Sequence, residues 1–127
     1  MFSHLTLGSN DLARSKTFYD ALFSATGGPS GQHDPKGRVV YLHRDAMLIL
    51  TPPLDGQPAC GANGGTVGFA ADSPEQVEAW HKAGVANGGT ACEDAPGVRP
   101  TDFGDLYLAY LRDPDGNKLG ALHRMAA

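Results

Sequence analysis

A chain of 127 residues with a formal charge of −4 fits one domain large enough to bury its own core. Its ten Lys and Arg residues are scattered along the whole length, which excludes the clustered basic face that nucleic-acid binding requires. No apolar run approaches the roughly 20 residues of a bilayer span, and Met1-Phe2-Ser3-His4 has neither the basic nor the apolar region of a signal peptide. The expectation is therefore a cytoplasmic protein without a membrane or nucleic-acid partner, in which Cys60 and Cys92 are reduced thiols.

Phe2 to Leu7 alternates and predicts a strand, with His4 and Thr6 on one face and Leu5 and Leu7 on the other. Asp11 is placed to cap a helix carrying Leu12, Phe18, Tyr19, Leu22 and Phe23, and Gly27-Gly28-Pro29 ends it. Ser30 to Lys36 is polar and fits a short strand or a loop. Arg38–His43 and Ala46–Thr51 predict a hairpin, stopped by Pro52-Pro53. Residues 54–65, rich in Gly, Pro and Ala, read as a connection. Thr66–Ala70 predicts the next strand. Ser73, Pro74 and Gln76 then form a capping-box start for a helix with Val77, Trp80, His81, Gly84 and Val85 on one face, ended by Asn87-Gly88-Gly89. Thr90–Glu93 suggests a short strand and Ala95–Asp105 a long, turn-rich loop. Leu106–Arg112 and Lys118–Arg124 predict a closing hairpin across Asp113-Pro114-Asp115-Gly116-Asn117.

The second half repeats the first. His4, Asp11 and Phe18 recur 62 residues later as Thr66, Ser73 and Trp80, and the double glycine recurs 61 residues later. Tyr41-Leu42-His43-Arg44-Asp45 is matched by Ala109-Tyr110-Leu111-Arg112-Asp113. The chain thus divides into module one (1–53), a linker (54–65) and module two (66–127). No Gly-x-Ser-x-Gly elbow, P-loop or dinucleotide fingerprint occurs.

Several of these residues carry a resemblance. Phe2-Ser3-His4 opening the first strand, Asp11-Leu12 before a helix, Phe18-Tyr19 within it, Gly68-Phe69-Ala70-Ala71 and the closing Arg112-Asp113-Pro114-Asp115-Gly116-Asn117-Lys118 resemble the vicinal oxygen chelate superfamily. That superfamily includes glyoxalase I, extradiol dioxygenases and bleomycin-resistance proteins. The resemblance implies an α+β fold of two βαβββ modules, each a curled mixed sheet with one main helix, enclosing a shared cleft and often completed in a homodimer.

It also implies a chemistry: a divalent metal held by side chains from the first and last strands of each module, acting on two neighbouring substrate oxygens. Carried over residue by residue, His4 fills the first ligand position. Thr66 stands at the second, where a His is expected. Gly120 stands where Asn-x-Leu-Glu would place its Glu, and the fourth position falls near Leu48 or Leu50. One imidazole makes a poor metal site, so a metal cofactor is disfavoured and none is assured. The alternative is a displaced site around His4 using His43 or Asp102, serving a glyoxalase-like lyase or isomerase or a dioxygenase. The favoured expectation is a pocket for a small oxygenated or aromatic ligand, drawing on His4, Thr6, Thr66, Gly68, Arg99, Asp102, Tyr107, Tyr110 and Gly120. His4 is the one weak catalytic candidate, as ligand or as general base. Arg99 would grip an anion, and Gly68 and Gly120 would enlarge the space.

Overall fold

The computed structural model describes residues 1–126 and contains two βαβββ modules. Module one runs β1 (His4–Gly8), α1 (Leu12–Ala25), β2 (Gln32–His33), β3 (Val39–His43) and β4 (Ala46–Thr51). Module two runs β5 (Val67–Ala70), α2 (Pro74–Ala86), β6 (Thr90–Thr101), β7 (Gly104–Arg112) and β8 (Lys118–Arg124). The strand orders are β1-β4-β3-β2 and β5-β8-β7-β6. In each, the first strand pairs parallel with the last and all other pairs are antiparallel. The expected α+β class and modular repeat are therefore present. No helix among the described residues is long and apolar enough to cross a membrane.

The helix starts follow from their caps. The Asp11 carboxylate accepts from the Arg14 N–H at 3.0 Å, and Ser73 Oγ accepts from the Gln76 N–H at 3.1 Å. These bonds satisfy donors that the first turn of a helix leaves orphaned. Gly28 donates to Phe23 O and Gly89 to Gly84 O, so both double glycines close their helices. Two expectations need correction. Ala95–Asp105 is not a loop: β6 runs through it to Thr101 and β7 begins at Gly104. A bulge between Cys92 and Gly97, entered through Glu93 at φ +59°, breaks the regular alternation. Pro96 and Pro100 are tolerated because β6 is an edge strand. Val85 also leaves the buried face of α2, being 45% exposed.

Register assigns the faces. Leu5 and Leu7 stand opposite Leu48 and Leu50, and Val67 and Phe69 opposite Leu119 and Ala121. These residues face the helices. His4 and Thr6, opposite Met47 and Ile49, and Gly68, opposite Gly120, point to the outer faces. One core joins both modules: Phe18, Tyr19, Leu22 and Phe23 from α1, Val77 and Trp80 from α2, and the inner residues of both sheets. Gly84 and Gly89 let α1 approach closely. A Cβ on Gly89 would lie 2.7 Å from Phe18 Cε1, and one on Gly84 3.0 Å from Leu22 Cδ2.

Polar bonds fix the junction between the modules. Asp113, 4% exposed, accepts from Tyr19 Oη at 2.6 Å, from Asn117 Nδ2 at 2.8 Å and from the N–H groups of Asp115 and Asn117, both at 2.9 Å. Burial, then the adjacent Asp113 charge, push the Tyr19 hydroxyl well above its ordinary pKa, so it stays a donor. Asp115 accepts from Arg14 Nη2 at 2.8 Å, from Asn10 N at 2.9 Å and from Ser15 Oγ at 3.1 Å. The closing turn of module two is thereby bonded to α1 of module one.

Asp113→Ala strands the buried Tyr19 hydroxyl and Asn117 amide. Urea unfolding should show a loss of about 2–4 kcal/mol, against about 1 kcal/mol for Tyr19→Phe. A second prediction concerns pH. Burial opposes ionisation of Asp20, but bonds from the Gly31 N–H, Lys16 and Tyr41 outweigh it and hold the carboxyl below its ordinary 3.8. A carboxyl lowered by folding stabilises the native state above its unfolded pKa and loses that effect as pH falls through the folded value. Stability should therefore drop below about pH 4, and Asp20→Asn should flatten that acid limb in melting curves measured against pH.

Candidate functional site

Four equivalent positions on the outer faces follow from the register. Thr6 stands opposite Ile49 as Gly68 stands opposite Gly120. The counterpart of Gly120 in module one is therefore Ile49, not Leu48 or Leu50, which face the core. A shift of one residue reverses the face of a strand side chain. The set is His4, Ile49, Thr66 and Gly120. Its donor chemistry does not fit a divalent ion. Ile49 and Gly120 offer no side-chain donor, Thr66 offers a neutral hydroxyl, and His4 alone has a ligating nitrogen. His4 is exposed, and its Nδ1 lies 2.8 Å from Ser3 Oγ.

Gly120 is buried because the Tyr110 ring lies across it. A Cβ there would approach Tyr110 Cε1 at 2.9 Å and Cδ1 at 3.1 Å. Lys118 Nζ sits 4.9 Å from the centre of the same ring and is ion-paired with Glu93. An aromatic ring thus occupies the space that a side chain at 120 would need.

A cavity of about 300 Å³ lies between the modules. Its inner walls come from Leu22, Phe23, Tyr41, Leu48, Phe69 and Trp80, and its mouth carries Phe2, His4, Gly68 and Ala70. Phe23 stacks on Tyr41 with ring centres 4.7 Å apart and meets Phe69 edge-on at 5.6 Å. Phe69 in turn lies 6.3 Å from Trp80. The wall is one aromatic chain crossing from module one to module two. His43 also lines the cavity. Its Nε2 is buried and has no hydrogen-bond partner among the described residues.

The structure brings His4 and Gly68 together at this mouth, and Tyr110 onto Gly120. Thr6 and Thr66 are exposed nearby on the first strand and just before the fifth. The other residues lie apart. Tyr107 shares the helix-facing side of β7 with Ala109 and donates to Glu78 Oε1 at 2.5 Å, which raises its pKa. The Arg99 guanidinium donates to Asp94 O at 3.2 Å and Ala95 O at 3.0 Å, within its own strand. Asp102 is exposed in the β6–β7 turn. The cavity residues absent from the expected set include Leu22, Phe23, Phe69 and Trp80. Their apolar spacing marks them as core, and cavity walls share that pattern with close-packed interiors.

The comparisons agree with this geometry. A family model described as Glyoxalase/Bleomycin resistance protein/Dioxygenase superfamily matches residues 1–120. None of the curated proteins matches the sequence. Among solved structures, a glyoxalase/bleomycin resistance protein from Albidiferax ferrireducens is 54% identical, with a TM-score of 0.93 over 97% of this chain and 98% of that one. A glyoxalase/bleomycin resistance protein/dioxygenase family enzyme from Burkholderia phytofirmans is 17% identical, with a TM-score of 0.73 over 97% and 98% of the two chains. A lactoylglutathione lyase from Agrobacterium tumefaciens is 22% identical, with a TM-score of 0.65 over 96% and 92%. These last two likenesses concern the fold alone. With the family model spanning nearly its whole length and a 54% identical relative, the chain belongs to the glyoxalase/bleomycin resistance protein/dioxygenase superfamily.

Proposed function

We propose that this protein binds a small oxygenated or aromatic molecule between its modules and does so without the metal chemistry that the resemblance implies. One observation carries the reading: the four equivalent outer positions are His4, Ile49, Thr66 and Gly120, with Tyr110 packed over the last. A first-row divalent ion needs three or four converging N, O or S donors to repay its dehydration. A single exposed imidazole does not supply them. The aromatic cavity supports the binding half of the reading, since ligand pockets are concave, largely apolar and few per protein.

Metal analysis of purified protein, dialysed without chelator, should find divalent ions well below one per chain. One tight ion per chain that disappears in His4→Ala would overturn the reading and restore a lyase or dioxygenase. A thermal-shift screen of small aromatic and oxygenated compounds should give at least one hit, with stabilisation near 2.7 kcal/mol at a hundredfold excess over Kd.

Gly120→Glu tests the aromatic cover. Restoring the carboxylate should destabilise the protein by about 1–3 kcal/mol through overpacking against Tyr110, with no gain in zinc or nickel affinity by calorimetry. Stoichiometric metal uptake by this variant would show that the ring yields and that a carboxylate alone was missing.

A further inference from the structure

The cavity between the modules has few polar groups in its lining, and its charged and hydroxyl groups on the inner wall are already paired. Tyr41 Oη donates to Asp20 Oδ1 at 2.6 Å, and burial, first, and that carboxylate hold its proton on. Thr26 Oγ1 donates to Phe23 O at 3.3 Å. Arg44, the one Lys or Arg in the lining, is paired through Nη2 with Asp72 Oδ2 at 2.7 Å. His43 Nε2 is enclosed by protein and out of reach of solvent. No unpaired cation therefore awaits an anion there. A carboxylate moved from water onto this wall would lose its hydration and gain no counter-charge.

The apolar remainder is aromatic in character. Phe23, Tyr41, Phe69 and Trp80 present both ring faces and ring edges, the arrangement against which another ring packs with gain beyond area alone. Size narrows the ligand further. An apolar cavity of about 150 Å³ holds benzene, and this one is about 300 Å³. At the mouth, Phe2 is 76% exposed and Leu5 40% exposed, so apolar surface continues from the wall to the rim.

We propose that the cavity selects an uncharged bicyclic aromatic compound and rejects its carboxylate counterpart. This rests on the reading that the chain binds a small molecule, and it names the class. Selectivity arises from the lack of an unpaired Lys or Arg in the lining. The lining forms no new bond to a charged ligand, so the cost of dehydrating an anion goes unmatched, while a neutral ring pays little and gains stacking.

Quinoline and quinoline-2-carboxylate at pH 8 are the probes, one neutral and one anionic on the same ring system. Calorimetry gives the affinities, and Trp80, the single tryptophan, reports occupancy through its fluorescence. Quinoline should bind and perturb Trp80 emission, and the carboxylate should bind at least tenfold more weakly. Phe69→Leu should weaken quinoline at least threefold, because it removes the ring that meets Phe23 edge-on and joins the wall to Trp80. A melting temperature near that of the parent confirms that this variant folds. Equal or tighter binding of the carboxylate overturns the proposal, as does unchanged quinoline affinity in Phe69→Leu. If quinoline fails to bind while other small molecules raise the melting temperature, the ligand class is wrong and the binding function stands. If no small molecule raises it, both fail.

Discussion

Asp113 receives four hydrogen bonds while 4% exposed, and the geometry of the rest follows from where those donors come from. Three belong to its own turn and hold β7 and β8 in register. The fourth is the Tyr19 hydroxyl, from the helix of the other module. A buried carboxylate is tolerated only when its lone pairs are filled, so the turn and α1 stabilise each other. Asp115 extends the tie through Arg14, Asn10 and Ser15. The Arg14 side chain is 46% exposed, which limits that ion pair to a fraction of a kcal/mol. The buried hydroxyl–carboxylate bond is the stronger constraint.

Two sheets with no shared ladder are thus held at a fixed separation by helices and one polar tie. At the other end of the junction the link is weaker. Arg44 meets Asp72, and both side chains are substantially exposed. Arg44 and Asp45 also sit at φ +52° and +62°, in the left-handed region that Gly or Asn occupies at lower cost. The cavity opens at this end, bounded by Arg44 and His43 from the β3–β4 turn and by β5. Close packing is enforced at Asp113 and relaxed where the cavity lies.

Much of the fold is legible in the sequence because its signals are local. The caps at Asp11 and Ser73, the double glycines and the Asp113–Asn117 turn each act within a few residues. The repeat shows because both modules use the same order of signals. Strand β6 is less legible, since Pro96, Gly97 and Pro100 normally punctuate loops, and an edge strand is the one place a sheet admits them. The site is harder still. Deciding between Leu48 and Ile49 requires the register of a parallel pair formed across some forty residues, and an error of one reverses the face. Phe23 and Phe69 read as core because a wall and a packed interior have the same composition. Only the spatial relation of the modules separates them.

The outer and inner faces then differ in kind. On the outer face, a charged site would need several donors to share the cost of dehydrating an ion, and His4 stands there with Ile49, Thr66 and Gly120. Tyr110 lies over Gly120, Lys118 Nζ sits 4.9 Å from the centre of that ring, and Glu93 pairs that lysine. On the inner face, Tyr41 spends its hydroxyl on Asp20 and leaves its ring to Phe23. In both places the Lys and Arg side chains and the tyrosine ring nearest them are taken up within the protein, and aromatic surface remains. Under the proposed binding reading, recognition rests on what the chain buries more than on what it coordinates. A binding free energy built from apolar area and ring contacts carries a negative heat-capacity change and little salt dependence, which separates it physically from metal-centred chemistry on the same scaffold.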